Sequence, residues 1–134
     1  MRYLLDTNIC SYHLRRPSGL IHRFTQHLGR LFIPSIVLGE LYVWVYRRDD
    51  PRPGIAVLDQ FVRQEVQVLP FEDRCAETFG RVRAALLRTG RVVNRVDLMI
   101  AATALVHDLT LVTNNTADFR AVPDLRLDDW LPAS

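Results

Sequence analysis

The stretch Arg2-Tyr3-Leu4-Leu5-Asp6 is a short apolar run that ends in an aspartate. Similar strand-like runs recur at residues 31–34, 66–70 and 110–113. Helical patterns lie between these runs, at residues 7–15, 19–28, 35–47, 54–65, 73–89 and 97–107. Strands that alternate with helices form a parallel sheet with helices on both faces. The sequence therefore predicts a three-layer α/β/α fold around a parallel sheet of four strands, to which residues 123–130 could add a fifth at an edge.

The length and composition of the chain predict one globular domain over residues 1–134. Of its 134 residues, 49% are hydrophobic and 24% are charged. A domain of about this length removes roughly two-thirds of its unfolded surface from water. No apolar stretch approaches the roughly 20 residues that span a bilayer, and the chain opens on a strand-like run and not on a signal peptide. We therefore expect a cytoplasmic protein without a membrane segment.

Four acidic residues stand beside apolar segments. Asp6 ends the first strand, Glu40 lies inside the third helix, Asp97 opens the sixth, and Asp118 follows the fourth strand. A charge that is buried without a partner costs several kcal/mol. Taken singly, the aspartates could cap helices or turns and the glutamate could lie at the surface. Taken together, they indicate one site that holds a cation.

The chemistry of such a site favours a hard divalent ion. Neighbouring carboxylates raise each other's pKa unless a cation neutralises them. Ligands that are all oxygen favour Mg²⁺ or Mn²⁺ over zinc. A metal-dependent enzyme is therefore the leading hypothesis.

Other classes of enzyme lack their motifs in this chain. GxxxxGK[ST], GxGxxG and GxSxG are all absent, which argues against P-loop hydrolysis, dinucleotide redox chemistry and serine hydrolysis. Cys10 and Cys75 show no zinc-type spacing, so we predict two core residues without a chemical role. The histidines show no HExxH or i, i+4 pairing and are predicted to be exposed or partly buried: His13, His22, His27 and His107.

The basic residues are compatible with a nucleic-acid substrate without requiring one. All 17 are arginine, and against 15 acidic residues the formal net charge is only +2. Codon usage in a GC-rich genome explains the absence of lysine, whereas the planar guanidinium also suits phosphate recognition. If four of the acids share a pocket, the remaining surface is more basic than the total charge indicates. A basic rim around an acidic centre suits a phosphodiester.

Four segments resemble the four motifs of PIN-domain ribonucleases. They are Tyr3-Leu4-Leu5-Asp6-Thr7-Asn8 and residues 34–41, 96–104 and 111–119. Their order and spacing, with the closing segment 125–130, more narrowly resemble the VapC toxins of VapBC toxin-antitoxin pairs. The resemblance extends over essentially the whole chain. It implies a PIN-like fold and a Mg²⁺-dependent endoribonuclease that acts as the toxin of such a pair.

The resemblance also implies roles for individual residues. Asp6, Glu40 and Asp97 would form the acidic pocket for Mg²⁺, for which Mn²⁺ would substitute. Supporting polar groups would be Asn8, Ser35, Thr113 and Asn115. The fourth acidic ligand stays open between two positions. Some relatives carry an aspartate where this chain has Asn115, and others use an acid three residues later, here Asp118, which we expect to be the catalytic and metal-binding residue.

The expected partners are an RNA substrate, a small antitoxin protein and a second copy of the chain. Arg91 and Arg95, just before Asp97, could guide an RNA backbone or could simply be solvated loop charges. The third helix carries apolar residues on nearly every face, which indicates either complete burial or a protein interface. These residues are Ile36, Tyr42, Val43, Trp44, Val45 and Tyr46, with Leu14 and Ile21 nearby in sequence.

Two alternative functions stay open. The chain could be a PIN nuclease of RNA maturation or DNA processing, or a catalytically silent module that binds a metal. The RNA target and the number of metal ions do not follow from the sequence.

Overall fold

The computed structural model describes residues 1–132, so the last two residues of the expected domain, 133–134, lie outside the described residues. The strands form one parallel sheet in the order β3-β2-β1-β4-β5. They are β1 (Tyr3–Leu5), β2 (Leu31–Pro34), β3 (Gln67–Leu69), β4 (Thr110–Val112) and β5 (Leu127–Asp128). The predicted α/β fold with a parallel sheet is confirmed, including the fifth strand at an edge.

Six of the helices were predicted, with boundaries that differ by at most two residues. The helices are α1 (Thr7–Arg15), α2 (Pro17–Gln26), α3 (Ser35–Tyr46), α4 (Arg52–Gln64), α5 (Asp73–Arg88), α6 (Arg95–Val106) and α7 (Thr116–Phe119). The short helix α7 was not predicted. Helix α6 begins two residues early because the side chain of Asn94 caps it. Asp97 therefore lies in the first turn of α6, and its interpretation as the helix cap is wrong.

The centre of the sheet forms the core. Every residue of β1, β2 and β4 is buried, as expected for parallel strands that are covered on both faces. Cys10 and Cys75 are buried, as predicted. None of the helices between residues 1 and 132 is both long enough and apolar enough to cross a bilayer.

Two histidines are more buried than the sequence predicted. The ring of His13 is stacked on Phe24, with 3.6 Å between ring centroids, and its Nε2 lies 2.8 Å from Glu65 Oε1. The ring of His27 is stacked on Trp130 at 5.5 Å. Aromatic faces bury most of each imidazole, so the prediction of an exposed or partly buried position is wrong for both.

Helix α3 divides its apolar residues between the core and the surface. Val37, Leu41 and Val45 are buried, so Val45 does not belong to an exposed patch. Val43, Trp44 and Tyr46 are exposed by 55%, 40% and 63%. One face of the helix is thus available for a partner.

The strand order places a ligand site at a defined edge of the sheet. From β1 the chain adds β2 and β3 on one side, and then β4 and β5 on the other. In open parallel sheets, ligands bind outside the carboxyl ends of the strands where the order reverses. Here that point is the pair β1 and β4, which are followed by Asp6 and Thr113.

Candidate active site

Asp6 is buried at the carboxyl end of β1, where it caps α1 and lines the candidate site. Its Oδ1 accepts a hydrogen bond from the backbone N–H of Thr7 at 2.7 Å, which caps α1. Its Oδ2 accepts a hydrogen bond from the Thr113 hydroxyl at 2.9 Å. Burial raises the pKa of Asp6, and the Glu40 charge raises it further, against the lowering effect of these two hydrogen bonds. The interpretation of Asp6 as a helix cap is therefore confirmed, and the same carboxylate also lines the cavity.

Glu40 projects from α3 toward the same point and is held there by Thr7. The Thr7 hydroxyl donates a hydrogen bond to Glu40 Oε1 at 2.7 Å. Thr7 is itself buried at the start of α1, so the glutamate is fixed by a rigid element. A fully solvated surface glutamate, the alternative interpretation, would not make this contact.

Asp97 approaches from the first turn of α6. The side chain of Asn94 accepts hydrogen bonds from the backbone N–H groups of Val96 and Asp97, at 2.9 Å and 3.3 Å, and so sets the start of the helix. Burial, followed by the charges of Asp6, Asp118 and Glu40, raises the pKa of Asp97 to about 6. The charges of all four acids are thus coupled at this position.

The two candidates for the fourth acidic position lie in and next to α7. Asn115 lines the cavity between the acids, whereas Asp118 is exposed and affects the site through its charge on Asp97. The hydroxyl of Thr113 joins this segment to Asp6, because it accepts a hydrogen bond from the backbone N–H of Asn115 at 3.0 Å while it donates to the carboxylate.

Asp6, Glu40 and Asp97 lie around a cavity of about 470 Å³. Its lining residues are Asp6, Thr7, Asn8, Glu40, Val43, Trp44, Asn94, Val96, Asp97 and Asn115. Asn8 donates a hydrogen bond to the side chain of Asn114 at 3.2 Å. Ser35 is exposed at the start of α3, and neither Ser35 nor Thr113 is among the described residues that line the cavity.

Comparison with known proteins agrees with this geometry. The family model of the PIN domain matches residues 3–125. The chain is 37% identical over 131 residues to the tRNA(fMet)-specific endonuclease VapC of Shigella flexneri, and the aligned region covers 97% of this chain and 98% of that protein. It is 35% identical over 132 residues to the ribonuclease VapC2 of Haemophilus influenzae, and that alignment covers 98% of this chain and 99% of that protein. The chain belongs to the PIN-domain family, in its VapC branch.

The solved structures of VapC proteins have the same fold. The crystal structure of DNA-bound VapBC from Salmonella typhimurium superimposes with a TM-score of 0.89 at 34% identity, and covers 97% of this chain and 98% of that chain. The resemblance on which the expected PIN-like fold was based is therefore confirmed.

The donor set of this PIN domain suits a hard divalent cation. Carboxylate and amide oxygens are the potential ligands around the cavity, and oxygen ligands are those that Mg²⁺ prefers. Within residues 1–132, the oxygens of Asp6, Glu40 and Asp97 do not all converge within 4.8 Å of one another. Mg²⁺ in proteins retains several of its waters and takes only one or two carboxylates directly, so a divalent ion at this cavity does not require all three acids as ligands.

The sequence did not identify the residues that position the acids. Thr7 and Asn94 were not among the predicted site residues, although one holds Glu40 and the other sets the turn that carries Asp97. Each stands within three residues of an acid of the site, Thr7 inside the first PIN-like segment and Asn94 just before the third. An inspection of polar neighbours of each acid would have found both.

Proposed function

We propose that this chain is a Mg²⁺-dependent endoribonuclease that acts as the toxin of a toxin-antitoxin pair. The observation that carries the proposal is the cavity at the carboxyl ends of β1 and β4. Three carboxylates from three different elements line it, and the pKa of Asp97 responds to the charges of the other acids. Clustered carboxylates with a raised pKa in a cleft are typical of catalytic sites.

In this proposal, each side chain has a separate task. Asp6 and Asp97 hold the cation, directly or through water. Glu40, which Thr7 holds in place, accepts the proton of the attacking water. When bound, Mg²⁺ lowers the pKa of that water and neutralises the charge that develops on the phosphate. Asn8 and Asn115 line the same cavity with amide groups that can orient the scissile phosphate.

A basic groove next to the cavity offers a path for the RNA backbone. Arg83, Arg91 and Arg95 line this groove of about 240 Å³. Asn94 lines both the groove and the acidic cavity, so the two are adjacent. Guanidinium groups bind phosphates through bidentate hydrogen bonds. The groove supports the role that the sequence suggested for Arg91 and Arg95.

The first RNA to test is initiator tRNA, because the similar Shigella flexneri protein is named for tRNA(fMet). The purified chain is incubated with initiator tRNA and, in parallel, with an elongator tRNA, in Mg²⁺, in Mn²⁺ and in chelator. We expect cleavage with either metal and none in chelator. Preferential cleavage of initiator tRNA would extend the proposal to the substrate, and equal cleavage would limit it to RNA in general.

Variants test whether the acidic cavity is the site of cleavage. Asp6→Asn and Glu40→Gln should abolish cleavage, because each removes a charge that faces the cavity. Asp59→Asn is the matched control, since Asp59 is exposed on α4 and does not belong to the residues that line the acidic cavity. Full ribonuclease activity in chelator, or in Asp6→Asn, would refute the proposed site.

An apolar groove supports the antitoxin partner that the VapBC complexes contain. This groove of about 340 Å³ lies between α1, α3 and α4 and is lined by Leu14, Leu41, Trp44, Val45, Val57 and Leu58, among others. Trp44 also lines the acidic cavity. A bound antitoxin segment could therefore fill the groove and reach the carboxylates with a basic residue, which would neutralise them as the cation does.

Two matched substitutions test the groove. Val57 and Leu28 are exposed by 48% and 62%, and only Val57 belongs to the groove. Val57→Glu should leave ribonuclease activity intact and prevent co-purification with the antitoxin from the neighbouring gene, whereas Leu28→Glu should retain the complex. Expression of the wild type alone should arrest growth, and co-expression should restore it. Harmless expression of an active nuclease would remove the toxin role.

We also propose a homodimer, supported by the exposed apolar side chains on α3. Tyr46 is 63% exposed and stacks on Tyr42 with 6.0 Å between ring centroids. Light scattering after gel filtration should give the mass of two chains for the wild type and of one chain for Tyr46→Glu. A monomeric wild type would contradict this part of the proposal.

A further inference from the structure

Three potential metal ligands converge at the far end of α6 from the acidic cavity. Glu72 is the N-cap residue of α5, and Cys75 follows in its first turn. His107 is the C-cap residue of α6. One ligand atom from each of them lies within 4.8 Å of the other two. Across residues 1–132, no other group of three histidine, cysteine or carboxylate side chains meets this distance.

The distance between the nitrogen and oxygen ligands is close to that of a tetrahedral ion. Zn²⁺ binds sulfur at about 2.3 Å and nitrogen or oxygen at about 2.0–2.2 Å, so neighbouring ligand atoms of a tetrahedron lie about 3.4–3.6 Å apart. His107 Nε2 is 3.8 Å from Glu72 Oε1, which exceeds this separation by a few tenths of an ångström. A small rotation of either side chain would close the difference.

The imidazole nitrogen that faces the group has no other partner among the described residues. His107 Nε2 is buried and accepts or donates no hydrogen bond within residues 1–132. A buried polar atom in this state costs free energy. A metal–nitrogen bond would satisfy it. The side chains of His107 and Glu72 are 24% and 47% exposed, so water can reach the fourth position of a tetrahedron.

The chemistry of these three ligands differs from that of the acidic cavity. A thiolate, an imidazole and a carboxylate favour Zn²⁺ or Co²⁺ over Mg²⁺. The Glu72 carboxylate and the Cys75 thiolate together balance a divalent charge, and the thiol releases its proton when the metal binds. The carboxyl-terminal end of α6 carries the negative end of the helix dipole, which favours a cation. At this same end, the guanidinium of Arg74 donates a hydrogen bond to the carbonyl of Val106, the last residue of α6, at 3.3 Å.

We infer that Glu72, Cys75 and His107 form a second metal site, which binds Zn²⁺ and joins the start of α5 to the end of α6. Asp97 precedes His107 by ten residues on α6, or about 15 Å at 1.5 Å per residue. The site is therefore separate from the acidic cavity and independent of the proposed ribonuclease activity. Its effect is to stabilise the packing of α5 on α6.

Cobalt titration in excess Mg²⁺ tests the site, because Mg²⁺ competes at the oxygen ligands but not at the thiolate. The wild type should bind one Co²⁺ per chain with a thiolate-to-cobalt charge-transfer band, and Zn²⁺ should displace it. Cys75→Ala should lose the band. Cys10→Ala, the matched control at the other buried cysteine, should keep it. Zn²⁺ should raise the Tm of the wild type and of Cys10→Ala, but not of Cys75→Ala.

Two further variants keep the test decisive if Cys75→Ala does not fold. Glu72→Gln and His107→Gln change partly exposed side chains, and each should weaken Co²⁺ binding at least tenfold. Absence of the band from the wild type, its persistence in Cys75→Ala, or an unchanged affinity in both Glu72→Gln and His107→Gln would overturn the inference.

Discussion

Replacement of Asp97 by asparagine should stabilise the metal-free protein at neutral pH. In the folded chain, burial and the neighbouring charges raise the pKa of Asp97 from 3.8 to about 6. The unfolded chain lacks these surroundings, so there the carboxyl ionises near its ordinary value. Between the two pKa values, the folded state binds more protons than the unfolded state. The free energy of unfolding therefore falls as the pH rises through this window and stays lowered above it.

The size of the effect follows from the shift of the pKa and from the exposure of Asp97. At 1.36 kcal/mol per pKa unit, the shift corresponds to at most about 3 kcal/mol. Asp97 is partly exposed, so solvent screens much of this penalty. A carboxylate in the first turn also gains up to about 1 kcal/mol from the helix dipole, which asparagine loses. We therefore expect Asp97→Asn to raise the free energy of unfolding by about 1 kcal/mol above about pH 7.

Urea unfolding in chelator measures this difference near pH 4.5 and near pH 7.5. The stabilisation should be clear at the higher pH and small at the lower one, while Asp59→Asn on the exposed face of α4 should show no such dependence on pH. The same Asp97→Asn preparation should have no ribonuclease activity in Mg²⁺. A variant that is no more stable than the wild type near pH 7.5, or is equally stabilised at both pH values, would refute the electrostatic account of the site.

Three further predictions concern the same cavity. Thr7→Val should lower kcat about 10- to 100-fold with little change in the Mg²⁺ requirement, because Glu40 loses the hydroxyl that orients it. Steady-state kinetics measure this change, and Thr7→Ser, which keeps the hydroxyl, should retain the wild-type kcat as the control. Asp118→Asn should weaken Mg²⁺ affinity more than Asn115→Ala, as read from metal titrations of activity; equal or reversed effects would assign the fourth position to Asn115. The pKa of Asp97 is raised to about 6, so protons should compete with Mg²⁺ below that pH. The Mg²⁺ concentration that gives half-maximal activity should therefore rise in this acidic range. An unchanged concentration would contradict the role of Asp97 as a ligand.

Much of the fold could be predicted because the local signals agree with one another. The buried strands are short apolar runs, and Asp6 both ends β1 and caps α1. The helix α7 could not be predicted in this way, because its four residues are too few to show a 3.6-residue period. The start of α6 was misplaced because the cap is Asn94 and not the acid three residues later. Periodicity locates elements, whereas side-chain hydrogen bonds set their ends.

The acids that line the cavity were easier to predict than the residues that hold them in place. A carboxylate next to an apolar segment is visible in sequence, and this signal pointed to Asp6, Glu40 and Asp97. The contact between Thr7 and Glu40 joins residues that are 33 positions apart. Such a contact depends on how α1 packs against α3, which no spacing rule contains. The proximity of Ser35 to an acid in sequence did not place it in the cavity for the same reason.

The two ends of α6 show where motif reasoning stops. At the amino-terminal end, Asp97 belongs to one of the four segments that resemble PIN motifs, and the acids beside it in the cavity come from other such segments. At the carboxyl-terminal end, His107 meets Cys75 and Glu72 across a chain separation of 32 and 35 residues, a spacing that matches no zinc signature. Cys75 was therefore predicted as a core residue and His107 as an exposed or partly buried one. Packing of α5 on α6 brings these residues together, so a metal site can arise from two unremarkable segments whose ligands only the fold combines.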